Sequence, residues 1–262
     1  MSLLLESRVP TSSQTASKYM KNKITHSQQQ KIWNEEHRKP KVLLQMNSQE
    51  VSGGVVKFLD YIKNQNKSLS SKLTGIEMGC GKGRNVIWLA EQKESKEVYG
   101  FDFSESAIKV ARKRAEEKGV KSKVKFFVGD ATKPWKFKND TFDYGIDCFA
   151  STDIETIEGR IFAIKETHRT LKPGGYFFVY ALTPDDEFHK QMIKKSPAEE
   201  KNAFYHTTGK FEKTFNKEEL KEMYVNFKVI KWQRVNKTTL FFGKEYKCKH
   251  FWLILQKPYI TN

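Results

Sequence analysis

Residues Thr74 to Gly83 read Thr-Gly-Ile-Glu-Met-Gly-Cys-Gly-Lys-Gly, a short apolar run with one carboxylate, Glu77, followed by glycines at alternate positions 79, 81 and 83. The run predicts a strand breaking into a glycine loop. Without a Cβ, Gly79, Gly81 and Gly83 can take positive φ and let the backbone lie flat against a ligand. Residues 84–90, Arg-Asn-Val-Ile-Trp-Leu-Ala, follow with helix-compatible apolar spacing, which puts the loop between a strand and a helix N-terminus, where free N–H groups collect. That is the nucleotide-cofactor position of an α/β sheet.

A dinucleotide fingerprint would need its third glycine where Arg84 stands, so that motif fails. The spacing present, Gly-x-Gly-x-Gly with Glu77 two residues ahead, resembles motif I of the class I S-adenosylmethionine-dependent methyltransferases. Three later features support it. Asp102 lies nineteen positions after Gly83, at the end of a strand predicted over 97–101, where an acid can accept both hydroxyls of a ribose. Asp130, followed by Ala131, comes after a strand at 124–128, where that family places an acid on the adenine amino group. Leu171-Lys172-Pro173-Gly174-Gly175 ends a helix predicted over 155–171 in a tight turn leading into a strand at 176–182.

The remaining elements are a helix at 51–62 with Val55, Phe58, Leu59 and Ile62 on one face, a polar linker at 63–72, and a helix capped by Ser104 and stopped at Gly119. A strand at 142–148, with Asp143 after Phe142, resembles the family's entry into its fourth strand. A helix near 217–224 starts with Asn216 and Glu219 in capping-box spacing, and a hairpin of strands at 227–233 and 246–256 closes the sheet. The resemblance implies a Rossmann-like three-layer α/β sandwich with a seven-stranded, mostly parallel sheet ordered 3-2-1-4-5-7-6, the last strand antiparallel. Residues 1–48 are expected to form a partly mobile extension with a helix around Trp33, and 49–262 the methyltransferase domain.

Composition narrows the function classes. The formal charge of +16 spreads as +6, +4 and +6 over residues 1–70, 71–182 and 183–262, and most of it is lysine. A spread lysine excess solvates a surface, whereas base and phosphate recognition favours arginine forks. The basic cluster Lys109, Arg112, Lys113, Arg114 reads as a solvated helix face balanced by Glu116 and Glu117. Cys80, Cys148 and Cys248 lie too far apart for a metal pair or a disulfide framework, which suits a reducing, cytoplasmic compartment; no metal site is expected. The longest apolar runs are strand-length, so no membrane span is expected. Leu3-Leu4-Leu5 is too short for a secretory signal, and the Ser/Thr/Lys-rich stretch at 10–30 reads as a frayed terminus, with an organellar transit peptide as the other reading.

The resemblance implies the glycine loop, with Gly79, Cys80, Gly81 and Gly83, under the methionine part of S-adenosylmethionine, and Glu77 near its ammonium group. It further implies Asp102 and Phe103 at the ribose, Asp130 and Ala131 at the adenine, and Asp147 and Cys148 at the cofactor edge, with Phe149 on the wall. The product would be S-adenosylhomocysteine. Trp33-Asn-Glu-Glu-His-Arg-Lys-Pro40 is similar to the Trp-containing segment that covers the cofactor in thiopurine and tellurite-type small-molecule methyltransferases. By itself, Trp33 among polar neighbours reads as a clamp packing its helix onto the domain.

Catalytic residues are not legible. Cys148 lacks the Pro-Cys or Thr-Cys context of cytosine C5 methyltransferases, and Asp147-Cys148-Phe149-Ala150 departs from the Asn/Asp-Pro-Pro-Tyr/Phe signature of adenine-amino and glutamine methyltransferases. Residues 183–215 form a long polar insertion where the family builds its substrate lid, and within it His189 and His206 are weak candidates for a general base, read as surface histidines by default. A small-molecule acceptor is the leading expectation. A tRNA- or protein-directed enzyme, or a cofactor-binding partner subunit without turnover, are the alternatives.

Overall fold

The computed structural model describes residues 24–42, 44–65 and 72–259. Residues 1–23 of the expected N-terminal extension, and 66–71 of the polar linker, lie outside the described residues, while 26–30 of the stretch expected to fray are helical. In chain order the elements are α1 (His26–Arg38), α2 (Gly53–Gln65), β1 (Leu73–Met78), α3 (Arg84–Glu91), β2 (Ser95–Asp102), α4 (Glu105–Glu117), β3 (Val124–Val128), β4 (Phe142–Cys148), α5 (Ile157–Thr170), β5 (Leu171–Leu182) and α6 (Glu187–Lys195). Then follow β6 (Ala203–Tyr205), β7 (Phe211–Lys213), α7 (Lys217–Met223), β8 (Lys228–Phe241) and β9 (Lys244–Gln256).

Seven strands make one sheet in the order β3-β2-β1-β4-β5-β9-β8, with β6 and β7 as a separate two-stranded sheet. Strands β1 to β5 run parallel, and β9 is antiparallel to both β5 and β8. This is the expected order, with the insertion's two short strands added. Period-two alternation builds both faces. Phe178 and Tyr180 of β5 and Trp252 and Ile254 of β9 pack under α2, α3 and α4, while Phe177, Val179, Leu253 and Leu255 pack under α5 and α7. A strand buried on both faces must be apolar throughout, and 176–182 and 251–255 are.

Several boundaries differ from the sequence expectations. Helix α5 begins at Ile157 behind the cap of Thr156, whose hydroxyl accepts from the Gly159 N–H, and it yields to β5 at Leu171. The Pro173-Gly174-Gly175 segment is a bulge inside β5 rather than a turn ahead of it: the register jumps from Phe142↔Leu171 to Tyr144↔Tyr176, and Gly174 takes φ 77°. The β8–β9 hairpin is far longer than predicted, pairing without a break from Trp232↔Leu253 to Phe241↔Lys244 across the turn residues Phe242 and Gly243, both at positive φ. Because β5 pairs with β9 only as far as His250, the hairpin end beyond it stands clear of the sheet. Residues 234–240, mostly polar, read as loop because only the hairpin's inner face is covered.

Candidate functional site

The glycine loop leaves the C-terminal end of β1 between β2 and β4, where an open α/β sheet forms its crevice. Gly79, Gly81 and Gly83 all adopt left-handed φ, of 60°, 52° and 78°. A Cβ on Gly79 would lie 2.5 Å from that of Ala150, so the loop depends on its bare backbone to pass the end of β4. Above the loop opens a cavity of about 620 Å³.

Three carboxylates mark one side of it. Glu77 is 1 % exposed; its Oε1 accepts from the Asn85 side-chain amide at 2.7 Å, and its Oε2 has no partner among the described residues. Burial, reinforced by Asp102 and Asp147, pushes its carboxyl up to about 8 despite the Asn85 bond. Asp102, at the end of β2, accepts the Gly81 N–H on one oxygen and the Ser104 N–H on the other, each at 2.9 Å. Burial raises it to about 6 against those two bonds. Asp130 accepts the Thr132 N–H at 2.8 Å and its hydroxyl at 2.7 Å, and its second oxygen meets His26 Nε2 at 2.9 Å. Burial opposes its ionisation, yet the Thr132 and His26 contacts hold it below the usual carboxylate range.

Helix α1 roofs the cavity. A polar helix of 13 residues is marginal alone. Here a Thr25–Gln28 capping box starts it, and buried Trp33 holds it down. The Lys210 ammonium sits 4.6 Å from the Trp33 ring centre. Gln30 donates to the Phe103 carbonyl at 2.9 Å, and Gln29 bonds both Gly209 and Phe211 of the insertion. His26 faces Asp130 with one ring nitrogen and Glu155 with the other, at 2.9 and 3.0 Å. Partial burial works against its charge, but the two carboxylates raise its pKa above the ordinary histidine value.

Of the residues expected at the site, Trp33, Glu77, Gly79, Cys80, Gly81, Asp102, Phe103, Asp130, Ala131 and Cys148 border the cavity. Gly83 and Asp147 do not. Gly83 is the N-cap of α3, packed against Phe126, and Asp147 is fully buried behind the wall, with one oxygen accepting the Ser151 N–H at 3.1 Å. Burial lifts the Cys148 thiol to about 11, so it stays protonated and forms wall rather than nucleophile.

His189 and His206 are buried rather than on the surface, and neither borders the cavity. His189 Nδ1 meets Asp186 at 2.6 Å, and His206 pairs with Glu212. They belong to the ionic core of the insertion, in which buried Lys210 lies 3.4 Å from Asp153 and 3.5 Å from Glu212. Among the described residues, no group of three His, Cys, Asp or Glu is placed to hold a metal ion, and no helix is long and apolar enough to cross a membrane.

Sequence reasoning missed His26, His37, Lys210 and His250, all at the cavity. Two signals were available. His26, Gln30, Trp33 and His37 share one helical face by their spacing, and alternation along β9 puts His250 on the same inward side as Cys248 and Trp252. His37 is kept neutral, pushed down to about 3 by burial and by the charges of Lys82 and Lys210.

A family model described as a methyltransferase domain matches residues 69–232. An S-adenosylmethionine-dependent methyltransferase from Methanosarcina mazei superposes with a TM-score of 0.65 at 22% identity, over 75% of this chain and 97% of its own. One from Anabaena variabilis gives 0.59 at 16% identity over 87% and 93%. At such identities these likenesses speak to fold. The demethylmenaquinone methyltransferase of Leptospira interrogans is 31% identical over 116 residues, 44% of this chain and 45% of its own length. The chain thus spans about half the length of the curated relatives it matches. The family model covers more than half of the sequence, so the chain belongs to the methyltransferase-domain family, and its strand order and glycine-loop crevice have the fold of the S-adenosylmethionine-dependent methyltransferases it superposes on.

Proposed function

We propose that the protein transfers a methyl group from S-adenosylmethionine to a small-molecule acceptor by in-line attack. The observation that carries this reading is Glu77 Oε2, a buried carboxylate oxygen beside the glycine loop without a partner among the described residues. A buried polar atom left unsatisfied costs about 1–3 kcal/mol, and an ammonium group would satisfy it. The residues fit the cofactor elsewhere too: the glycine loop under the methionine part, Asp102 and Phe103 at the ribose, and Asp130 with Ala131 at the adenine, under His26. The cofactor supplies an electrophilic methyl on a sulfonium whose charge disperses during transfer, so the chain's task is to orient the partners and exclude water. Helix α1, with Trp33 and His37, serves that exclusion.

Glu77 links binding to pH. Its folded-state pKa of about 8 lies above the ordinary 4.5, so its contribution to stability is full below about 4.5 and is lost as pH rises through 8. A bound ammonium reverses that loss by favouring the carboxylate. The rise in Tm produced by S-adenosylmethionine is therefore expected to be larger at pH 8.5 than at pH 6, by scanning fluorimetry; equal shifts would remove Glu77 from the ammonium site.

The acceptor named for the Leptospira relative is not carried over, since the shared stretch covers under half of either chain. A small molecule is favoured by the size of the cavity, about 620 Å³, and by the cover that α1 and the hairpin end give it. Three free cysteines, two of them buried, fit a cytoplasmic, reducing compartment. Incubation with methyl-labelled cofactor and separate metabolite, RNA and protein fractions tests the reading, with label expected in the metabolites. Label in RNA or protein overturns the acceptor class, and cofactor binding with no label in any fraction favours a non-catalytic partner subunit.

A further inference from the structure

Beyond the glycine loop, the cavity continues to a far end bordered by Phe149, Leu182, Phe241 and His250. His250 sits on β9 opposite Leu182, where the hairpin leaves the sheet. The residue is 4 % exposed, its Nδ1 has no hydrogen-bond partner among the described residues, and its ring meets those of Phe149 at 5.1 Å and Tyr180 at 5.2 Å. Buried imidazoles are ordinarily hydrogen-bonded. Phe149, at the exit of β4, holds φ 73°, a conformation costly for a bulky side chain, and its N–H is fixed on the Tyr180 carbonyl at 3.0 Å. An unpaired imidazole thus stands beside a strained aromatic, on the edge of β4 and β5 next to Cys148.

We propose that His250 is the base on the acceptor side, and that the acceptor carries an acidic O–H or S–H, as in a phenol, enol or thiol, on a largely apolar body. This rests on the methyl-transfer reading above and names its acceptor chemistry. The acceptor heteroatom forms its bond to the methyl carbon while the carbon–sulfur bond returns its electron pair to sulfur, and the heteroatom's proton passes to the imidazole, then to water as the product leaves. The apolar walls of Phe149, Leu182 and Phe241 suit a ring or chain. The charges that face His250 are Lys237 of β8, Asp186 and His189 of the α6 end, and Glu212 of β7. Burial, then His189 and Lys237, push its pKa down to about 4, against Asp186 and Glu212, so the ring is neutral through the physiological range and holds a proton only in transit to water. A base that weak acts on acidic hydrogens rather than on alkyl alcohols or amines.

The test uses the full chain with catechol, 2-naphthol and thiophenol as probe acceptors, methyl-labelled cofactor, and calorimetry for cofactor affinity. His250→Gln is expected to keep cofactor affinity within about threefold while lowering methylation of the probes about a hundredfold or more. In the unsubstituted protein, imidazole NMR should show a His250 resonance that stays neutral at pH 6 and shifts when thiophenol is added with S-adenosylhomocysteine bound. A rate within about threefold of the original in His250→Gln overturns the proposal, as does a His250 ring protonated at pH 7 or unmoved by the probes. If the unsubstituted protein binds S-adenosylmethionine but methylates none of the three, the acceptor chemistry fails while the methyl-transfer reading stands. Failure to bind the cofactor at all overturns both.

Discussion

Asp102→Ala is expected to weaken S-adenosylmethionine binding about ten- to a hundredfold, the loss of one or two charge-assisted hydrogen bonds. The carboxylate is already held in place by the Gly81 and Ser104 N–H groups, one on each oxygen, so it is presented to the cavity without further ordering. A carboxylate oxygen accepts more than one hydrogen bond, which leaves acceptor capacity on both for two ribose hydroxyls. Alanine removes the acceptor and also frees the loop at Gly81. Asp102→Asn separates the two effects, because it keeps one acceptor oxygen and the shape but loses the charge. Its affinity should fall between the other two by isothermal calorimetry, and unchanged affinity in Asp102→Ala would sink the ribose assignment.

Gly83→Ala is expected to cost about 2–4 kcal/mol of stability, which for a domain of this size lowers Tm by about 5–15 °C. Two terms combine. Alanine at φ 78° carries left-handed strain of about 1–2 kcal/mol. Its Cβ would also stand 2.6 Å from Phe126 Cζ and 3.0 Å from Ala111 Cβ, inside the core shared by α3, α4 and β3. Gly119 is the control. It has a similar φ of 70° but nothing within 4 Å of a built Cβ, so Gly119→Ala should show the strain alone, about half the loss or less. Equal melting temperatures for the two variants would mean that the contact with Phe126 relaxes without cost.

Much of the glycine-loop side of the cavity is readable from sequence because it is local. The glycine spacing, Glu77, Asp102 and Asp130 all sit at strand ends, and a strand end is found from the sequence wherever an apolar run stops. Gly83 and Asp147 show the limit of that reading. Both lie within motif positions, yet one caps α3 from the core side and the other is fully buried behind the wall. A motif says which residues share a loop; it does not say which way each side chain turns.

The interior of the insertion is hidden for a different reason. The insertion was read as a polar lid with surface histidines, but its Lys210, Glu212, His206 and Lys213 are buried. Polar composition ordinarily means exposure, and these side chains escape the rule by satisfying one another: Lys213 bonds Glu219 at 2.7 Å, Lys210 lies between Asp153 and Glu212, and buried Arg160 pairs with Glu200 at 2.5 Å. Such pairings join residues scattered along the chain and leave no periodic trace.

The sequence alone determined the architecture and the crevice, since apolar periodicity specifies which face of each element is buried and positive-φ glycines mark where the backbone must bend. Only the tertiary structure decided which segments close that crevice. The docking of α1 over Asp130 through His26 joins residues 104 positions apart, and the β8–β9 hairpin that carries His250 and Phe241 is held in the sheet by pairing of β9 with the distant strand β5. No local preference encodes those distances; packing does.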